Sequence, residues 1–202
     1  YRQITRATPA LREKDPDNRL LARGPRFRLS AEVLRDQSLT VSGLLVEKVG
    51  GPSVRPYMPA GVWDETSVYG NLRNYQADSG EGLYRRTLYT IWKRTAAPAT
   101  MLLFDSPSRE ICTVKRSRTN TPLQALALLN EITYIEAARR LAERMLTEGG
   151  KNAEERIAWA FCLVTSRRPQ SEEMTLLIDG LNKRLAHYRQ DPAAAKKLVT
   201  QG

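Results

Sequence analysis

Apolar residues recur at helical spacing through most of the C-terminal half of the chain, and each periodic stretch begins and ends on a capping signal. In NTPLQALALLNEITYIEAARRLAERML, Leu123 to Ile132 are apolar almost all round, and Arg139, Arg140, Glu143 and Arg144 then return a polar face. This predicts one long helix from Thr121 to the Gly149-Gly150 pair, with its first turns buried on several sides. Thr121 is the N-cap, Pro122 sits at the first helical position and Gln124 completes a T-x-x-Q capping box. A second helix starts at Asn152 with Glu155 three residues on, and its stripe is Ile157, Ala160, Phe161 and Val164. A third runs from about Ser171 to Arg189, striped by Met174, Leu177, Leu181, Leu185 and Tyr188. Asp191-Pro192 closes it, and a short Ala/Lys-rich helix follows.

The N-terminal half is less regular. Residues 1–28 are basic and turn-rich. In LSAEVLRDQSLTVSGLL, Ser30 is a natural N-cap flanked by Leu29 and Leu34 as a hydrophobic staple, and Leu34, Val41 and Leu45 share a helical face. From 50 to 82 the texture changes, with six Gly and three Pro among Tyr57, Trp63, Tyr69 and Tyr75. Gly and Pro at that density break regular elements, yet the aromatics offer large area for burial, so an ordered loop excursion is expected. LYRRTLYTIWKRT fits a helical face through Tyr84, Leu88, Ile91 and Thr95, and is read as helix although alternation can also be drawn. MLLFDSP and EICTVKR are short enough to pair as a small β-hairpin. The expected fold class is therefore mainly α, a helical bundle-like core over a single domain, 1–202, with a Gly/Pro/aromatic loop (50–82) and a C-terminal helical part (121–200).

Charge adds a local feature. The net charge is +10, and between Leu83 and Arg118 eight bases face two acids, Asp105 and Glu110. Two readings stand: a footprint for an anionic partner, or arginines that bond carbonyls and carboxylates within the fold. The second is favoured, because the bases interleave with large apolar residues. Arg109, Glu110, Cys112, Arg116, Arg118 and Asn120 converge in sequence on the capped start of the Thr121 helix, where the helix dipole is positive, and Asp105 precedes them in a turn. Trp63 is the remaining ligand candidate, either a plug in a small satellite core or a ring platform beside Asp64, Asn71 and Asn74.

Candidate chemistry is sparse. The one histidine, His187, has no triad partner in view and reads as a solvated helix residue. The two cysteines, Cys112 and Cys162, show neither metal spacing nor a haem-attachment signature and are read as buried thiols in preference to one disulfide. No metal or catalytic residue is assigned. A paired-carboxylate hydrolase built from Asp64, Glu65, Asp105 or Glu110 lacks supporting spacing, and no phosphate-binding glycine loop occurs. No apolar run is long enough to span a bilayer.

GGPSVRPYMPAGVW, LYRRTLYTIWKRT and FDSPSREICTVKRSRTNTPLQALALLNE resemble, in order, the signature blocks of a domain of unknown function. YRQITRAT, DPDNRLLARGPRFRLSAEVLRDQSL and AFCLVTSRRPQSEEM support the likeness, which spans nearly the whole chain. One departure is Gln170, where the family has Thr, so Ser171 is expected to take over capping. That family occurs toward the C-terminal side of large secreted planctomycete proteins with c-type cytochrome modules upstream. The resemblance implies the central part of such a domain, an extracytoplasmic setting, haem only in companion modules and other modules of the same parent as partners. It supplies no mechanism. The leading expectation is a non-catalytic interaction or scaffold domain. The alternatives are a carbohydrate-binding or carbohydrate-processing domain using the aromatic loop, and binding of an acidic polymer through 83–118; an exported parent makes nucleic acid an improbable ligand.

Overall fold

The computed structural model describes residues 5–25, 27–64, 75–93 and 95–202. The opening residues 1–4 and Glu65, Tyr69, Asn71, Asn74 and Arg94, named in the sequence analysis, lie outside them. The described chain is mainly helical. In order come α1 (Pro9–Lys14), α2 (Ala31–Ser42), α3 (Ala99–Leu103), α4 (Pro122–Asn130), α5 (Ile132–Glu148), α6 (Ala153–Thr165), α7 (Ser171–Gln190) and α8 (Pro192–Val199). α2 packs on α5 and also meets α3 and α6, while α4, α5, α6 and α7 each pack on the next helix. The central cluster joins Ala31, Met101, Phe104 and Tyr134 from α2, α3 and α5, with Leu34, Trp92, Ala127 and Leu128 packed around it.

Helix starts follow the local chemistry. At α4 the Thr121 hydroxyl accepts from the Gln124 N–H (3.3 Å) while the Gln124 side chain accepts from the Thr121 N–H (3.1 Å). Thr121→Ala is therefore expected to lower stability by about 1 kcal/mol; an unchanged denaturant midpoint would refute a working cap. Asn152 accepts from Glu155 N (2.8 Å) at the start of α6. At α7, Gln170 itself occupies the N-cap, its N–H bonded to Glu173 (2.8 Å), so Ser171 does not take over capping as expected. The Arg167 guanidinium on Glu173, helped by that N–H, pulls the carboxyl down to about 2.

Several expectations are corrected. The Thr121–Glu148 stretch is two helices, because Glu131 adopts φ −73°, ψ 136° and turns the chain between α4 and α5. α4 fully buries only Gln124; Ala127 and Leu128 pack on the central cluster, while Leu123, Leu126 and Leu129 are more than half exposed, so one side of its apolar surround faces solvent. α2 stops at Ser42, since Gly43 (φ 76°) closes it with bonds back to Leu39 and Thr40. Its buried stripe is Ala31, Arg35, Leu39 and Ser42, one residue off the leucine face expected from hydropathy. The described residues of 83–95 form no α-helix. Two 3₁₀ turns, Gly80–Leu83 and Thr87–Tyr89, flank a segment whose backbone instead bridges Val46 and Val54 in parallel. The small β-hairpin is absent among the described residues: Ala99–Leu103 is helix α3, and 104–121 is irregular. Neither cysteine is buried, Cys112 being exposed and Cys162 half-buried, and both are free.

The Gly/Pro/aromatic segment is ordered where it is described. Val54 N donates to Tyr89 O and Ile91 N to Val54 O (both 2.8 Å), Arg55 N donates to the Asp78 carboxylate (2.7 Å), and the Tyr75 hydroxyl donates to Pro56 O (2.6 Å).

Candidate functional site

The seven sequence candidates do not form one constellation. Trp63 is fully buried and meets Tyr75 edge-on with ring centroids 5.0 Å apart, the geometry of a plug and not of a platform. Arg109, at φ 66°, stacks its guanidinium 4.1 Å from the Trp92 ring centre. Glu110 is exposed, and its N–H donates a weak bond to the Ser108 hydroxyl oxygen (3.3 Å).

The other four, Asp105, Arg116, Arg118 and Asn120, gather around one open cleft of about 750 Å³ between the chain entering α2 and the segment that precedes α4. Phe104 and Val114 line it with Arg28, Lys115, Arg116 and Arg118. Asp105 holds the wall. It sits at φ 62°, a left-handed conformation that Asp tolerates better than most residues. Its carboxylate accepts from Thr119 N (2.6 Å) and the Thr119 hydroxyl (2.9 Å), and Gln124 Nε2 reaches it at 3.4 Å. The Thr119 N–H donated to it is the main reason its carboxyl lies below the usual carboxylate range. Gln124, buried, also donates to Leu103 O (2.8 Å), so a residue legible in the sequence only as half of a capping box ties the cleft wall to α3 as well.

The cations are held differently. Arg116 pairs with both oxygens of Glu32 (2.9 Å), and the Glu32 carboxyl is lowered, its burial outweighed by that contact and by backbone and Ser30 hydrogen bonds. Arg118 stacks on the Phe27 ring (4.9 Å). Arg28 donates to Asn120 Oδ1 (2.7 Å) and lies 5.7 Å from the centre of the Phe104 ring. Arg28, Lys115 and Arg118 form no salt bridge among the described residues. Arg28 went unnoticed in the sequence because it belongs to the irregular basic start of the chain, 92 residues before the Asn120 it bonds.

Earlier in the basic stretch, Arg85 and Arg86 bond groups within the fold. Arg85 is buried, donates to Lys48 O (2.9 Å), Pro52 O (3.1 Å) and Gly50 O, and stacks 3.9 Å from the Tyr89 ring centre. Arg86 pairs with Asp36 at 3.5 Å. No group of three or more metal-binding side chains occurs among the described residues, and no described helix is long and apolar enough to cross a membrane. His187 lies exposed on α7, edge-on to Tyr188.

A mainly helical domain with an open cationic cleft braced by an arginine-rich irregular segment is thus the class of molecule described. The sequence model of PSD1, a protein of unknown function (DUF1553), matches residues 1–181, and the chain belongs to that family. No curated protein and no solved structure matches it.

Proposed function

We propose that this domain is a non-catalytic interaction module of a larger extracytoplasmic protein, and that its cationic cleft takes an acidic polypeptide segment of another module of that parent. The observation that carries the reading is the grouping of Arg28, Lys115 and Arg118, free of salt bridges among the described residues, over one open cleft with the fully exposed Val114. Cations that form no salt bridge among the described residues, set beside exposed apolar surface and outnumbering the one lining carboxylate, Asp105, match a partner that offers carboxylates and apolar side chains together. The exposed leucines of α4 follow in the chain shortly after Asn120, which bonds Arg28. A sugar would call for an exposed ring platform, and the ring proposed for that role, Trp63, is buried. The extracytoplasmic setting and haem-bearing companion modules rest on the family resemblance.

The test is a peptide alternating Glu with Leu, measured by calorimetry at several salt concentrations beside an acidic polysaccharide such as heparin. Arg28→Gln/Lys115→Gln/Arg118→Gln should weaken peptide binding at least about tenfold and flatten its salt dependence, with the melting midpoint unchanged. Equal peptide binding by the triple variant would overturn the reading, and heparin binding tighter than peptide binding would move it to an acidic polysaccharide.

A further inference from the structure

We infer that the interior carries a built site for one structural water, held jointly by Arg35, Thr90, Glu131 and Tyr134 at the junction of α2, the bridged segment and the start of α5. A small cavity of about 20 Å³ is lined by all four residues, with Pro56 and Met101 among its apolar walls. One water needs roughly 10–15 Å³ of such space and two to four polar partners. The same four residues each present a buried polar atom without a protein hydrogen-bond partner: Arg35 Nε, Thr90 Oγ1, Glu131 Oε2 and the Tyr134 hydroxyl. Arg35, Thr90 and Tyr134 are 3%, 8% and 6% exposed, so bulk solvent does not satisfy them.

The inventory of donors and acceptors closes on a single water molecule. The Arg35 Nε–H can only donate, and the unpaired Glu131 oxygen accepts while the carboxylate is ionised. The two hydroxyls can do either. A water that accepts from Arg35 and Tyr134 and donates to Glu131 and Thr90 fills all four of its own positions and leaves none of the four protein atoms orphaned. The remaining polar atoms of these residues are already engaged: the Arg35 terminal nitrogens donate to Leu83 O, Arg85 O and the Thr87 hydroxyl, and the other Glu131 oxygen accepts from the Thr133 hydroxyl (3.0 Å). Burial raises the Glu131 carboxyl, a cost that a donated water hydrogen bond offsets. The water would thus be an interior fastener. It joins α2 through Arg35, the bridged segment through Thr90 and the turn between α4 and α5 through Glu131 and Tyr134, three parts of the chain that share no continuous backbone ladder.

A crystal structure of the intact chain at about 1.5 Å or better provides the direct test. One well-ordered solvent peak within hydrogen-bonding distance of at least three of the four atoms is expected. Direct bonds among the four side chains, or an empty cavity, would overturn the assignment. Oxygen-17 magnetic relaxation dispersion gives an independent readout in solution. The Thr90→Val/Tyr134→Phe variant, which removes both hydroxyls, should lose one long-lived water relative to wild type, while Tyr188→Phe on α7 should lose none. A double variant that folds and retains the wild-type count would also overturn it. If that variant does not fold, the wild-type crystal structure still decides.

Discussion

Trp63→Ala should cost about 3–5 kcal/mol, the range for emptying an aromatic-sized site in a packed core. Trp63 is 0% exposed, in the Gly/Pro-rich stretch, whose described residues form no α-helix or β-strand. Tyr75 lies edge-on against it, and the Lys93 ammonium sits 5.6 Å from the ring centre. Removing the indole therefore takes away the central member of a satellite core and leaves Tyr75 and Lys93 without their common partner. Against a typical domain stability of about 5–15 kcal/mol, that loss is a large share. Denaturant unfolding is the measurement. Trp63→Phe keeps part of the volume and should fall between the alanine variant and wild type. A loss under about 1 kcal/mol for Trp63→Ala would mean that the excursion is held without its ring.

How far the sequence alone carried the structure depends on the element. The capping box at Thr121, the Asn152 cap and the Ile157 and Ala160 part of the α6 stripe were legible, because each is set by residues three or four apart on one helix. The α7 stripe was not borne out: α7 buries no residue, and Leu177 and Leu185 are exposed. The break at Glu131 was not. Apolar periodicity runs straight through it, and what turns the chain is a carboxylate drawn inward toward Arg35 and Thr133, residues on other turns and another helix. The 83–95 segment misled for a related reason. Its helical face of Tyr84, Leu88 and Ile91 is real as a pattern, but the backbone groups are claimed by Val46 and Val54 from the preceding chain. At the cleft, charge clustering pointed to Arg116, Arg118 and Asn120, whereas Arg28 and Phe104 enter only through the packing of α2 against α3. The exposed leucines of α4 mark the limit of hydropathy reasoning: an all-round apolar helix predicts burial, but the helices α4 chiefly meets among the described residues, α3 and α5, cover one side of it.

Arg35→Met should lower stability by roughly 3 kcal/mol or more, the scale of leaving buried hydrogen-bonding groups without their charged partner. Arg35 is 3% exposed, on the core-facing side of α2, at a position where an apolar residue would ordinarily be expected. Its guanidinium donates to Leu83 O (2.7 Å), Arg85 O (3.0 Å) and the Thr87 hydroxyl (3.1 Å), while its neighbour Asp36 accepts from Thr87 N (2.7 Å) and the same hydroxyl (2.6 Å). One turn of α2 therefore clasps the irregular 83–87 segment from both charge signs. Two effects oppose each other in the variant. Methionine removes a desolvated cation, whose burial already lowers the arginine's pKa, and that is a gain. It also strands two main-chain carbonyls, which no side-chain substitution can remove, and frees a segment with no helix or sheet to hold it. The second effect should dominate, because the acceptors are fixed and buried. Arg35→Lys should be intermediate, since one ammonium cannot span acceptors that a planar fork reaches together. Arg86→Gln is the control. Arg86 is exposed and pairs with Asp36 only at 3.5 Å, so that change should stay within about 0.5 kcal/mol. Denaturant midpoints for the three variants, read with amide exchange at Tyr84 to Thr90, decide the matter. Wild-type stability in Arg35→Met with unchanged protection there would show that α2 holds the segment by packing alone.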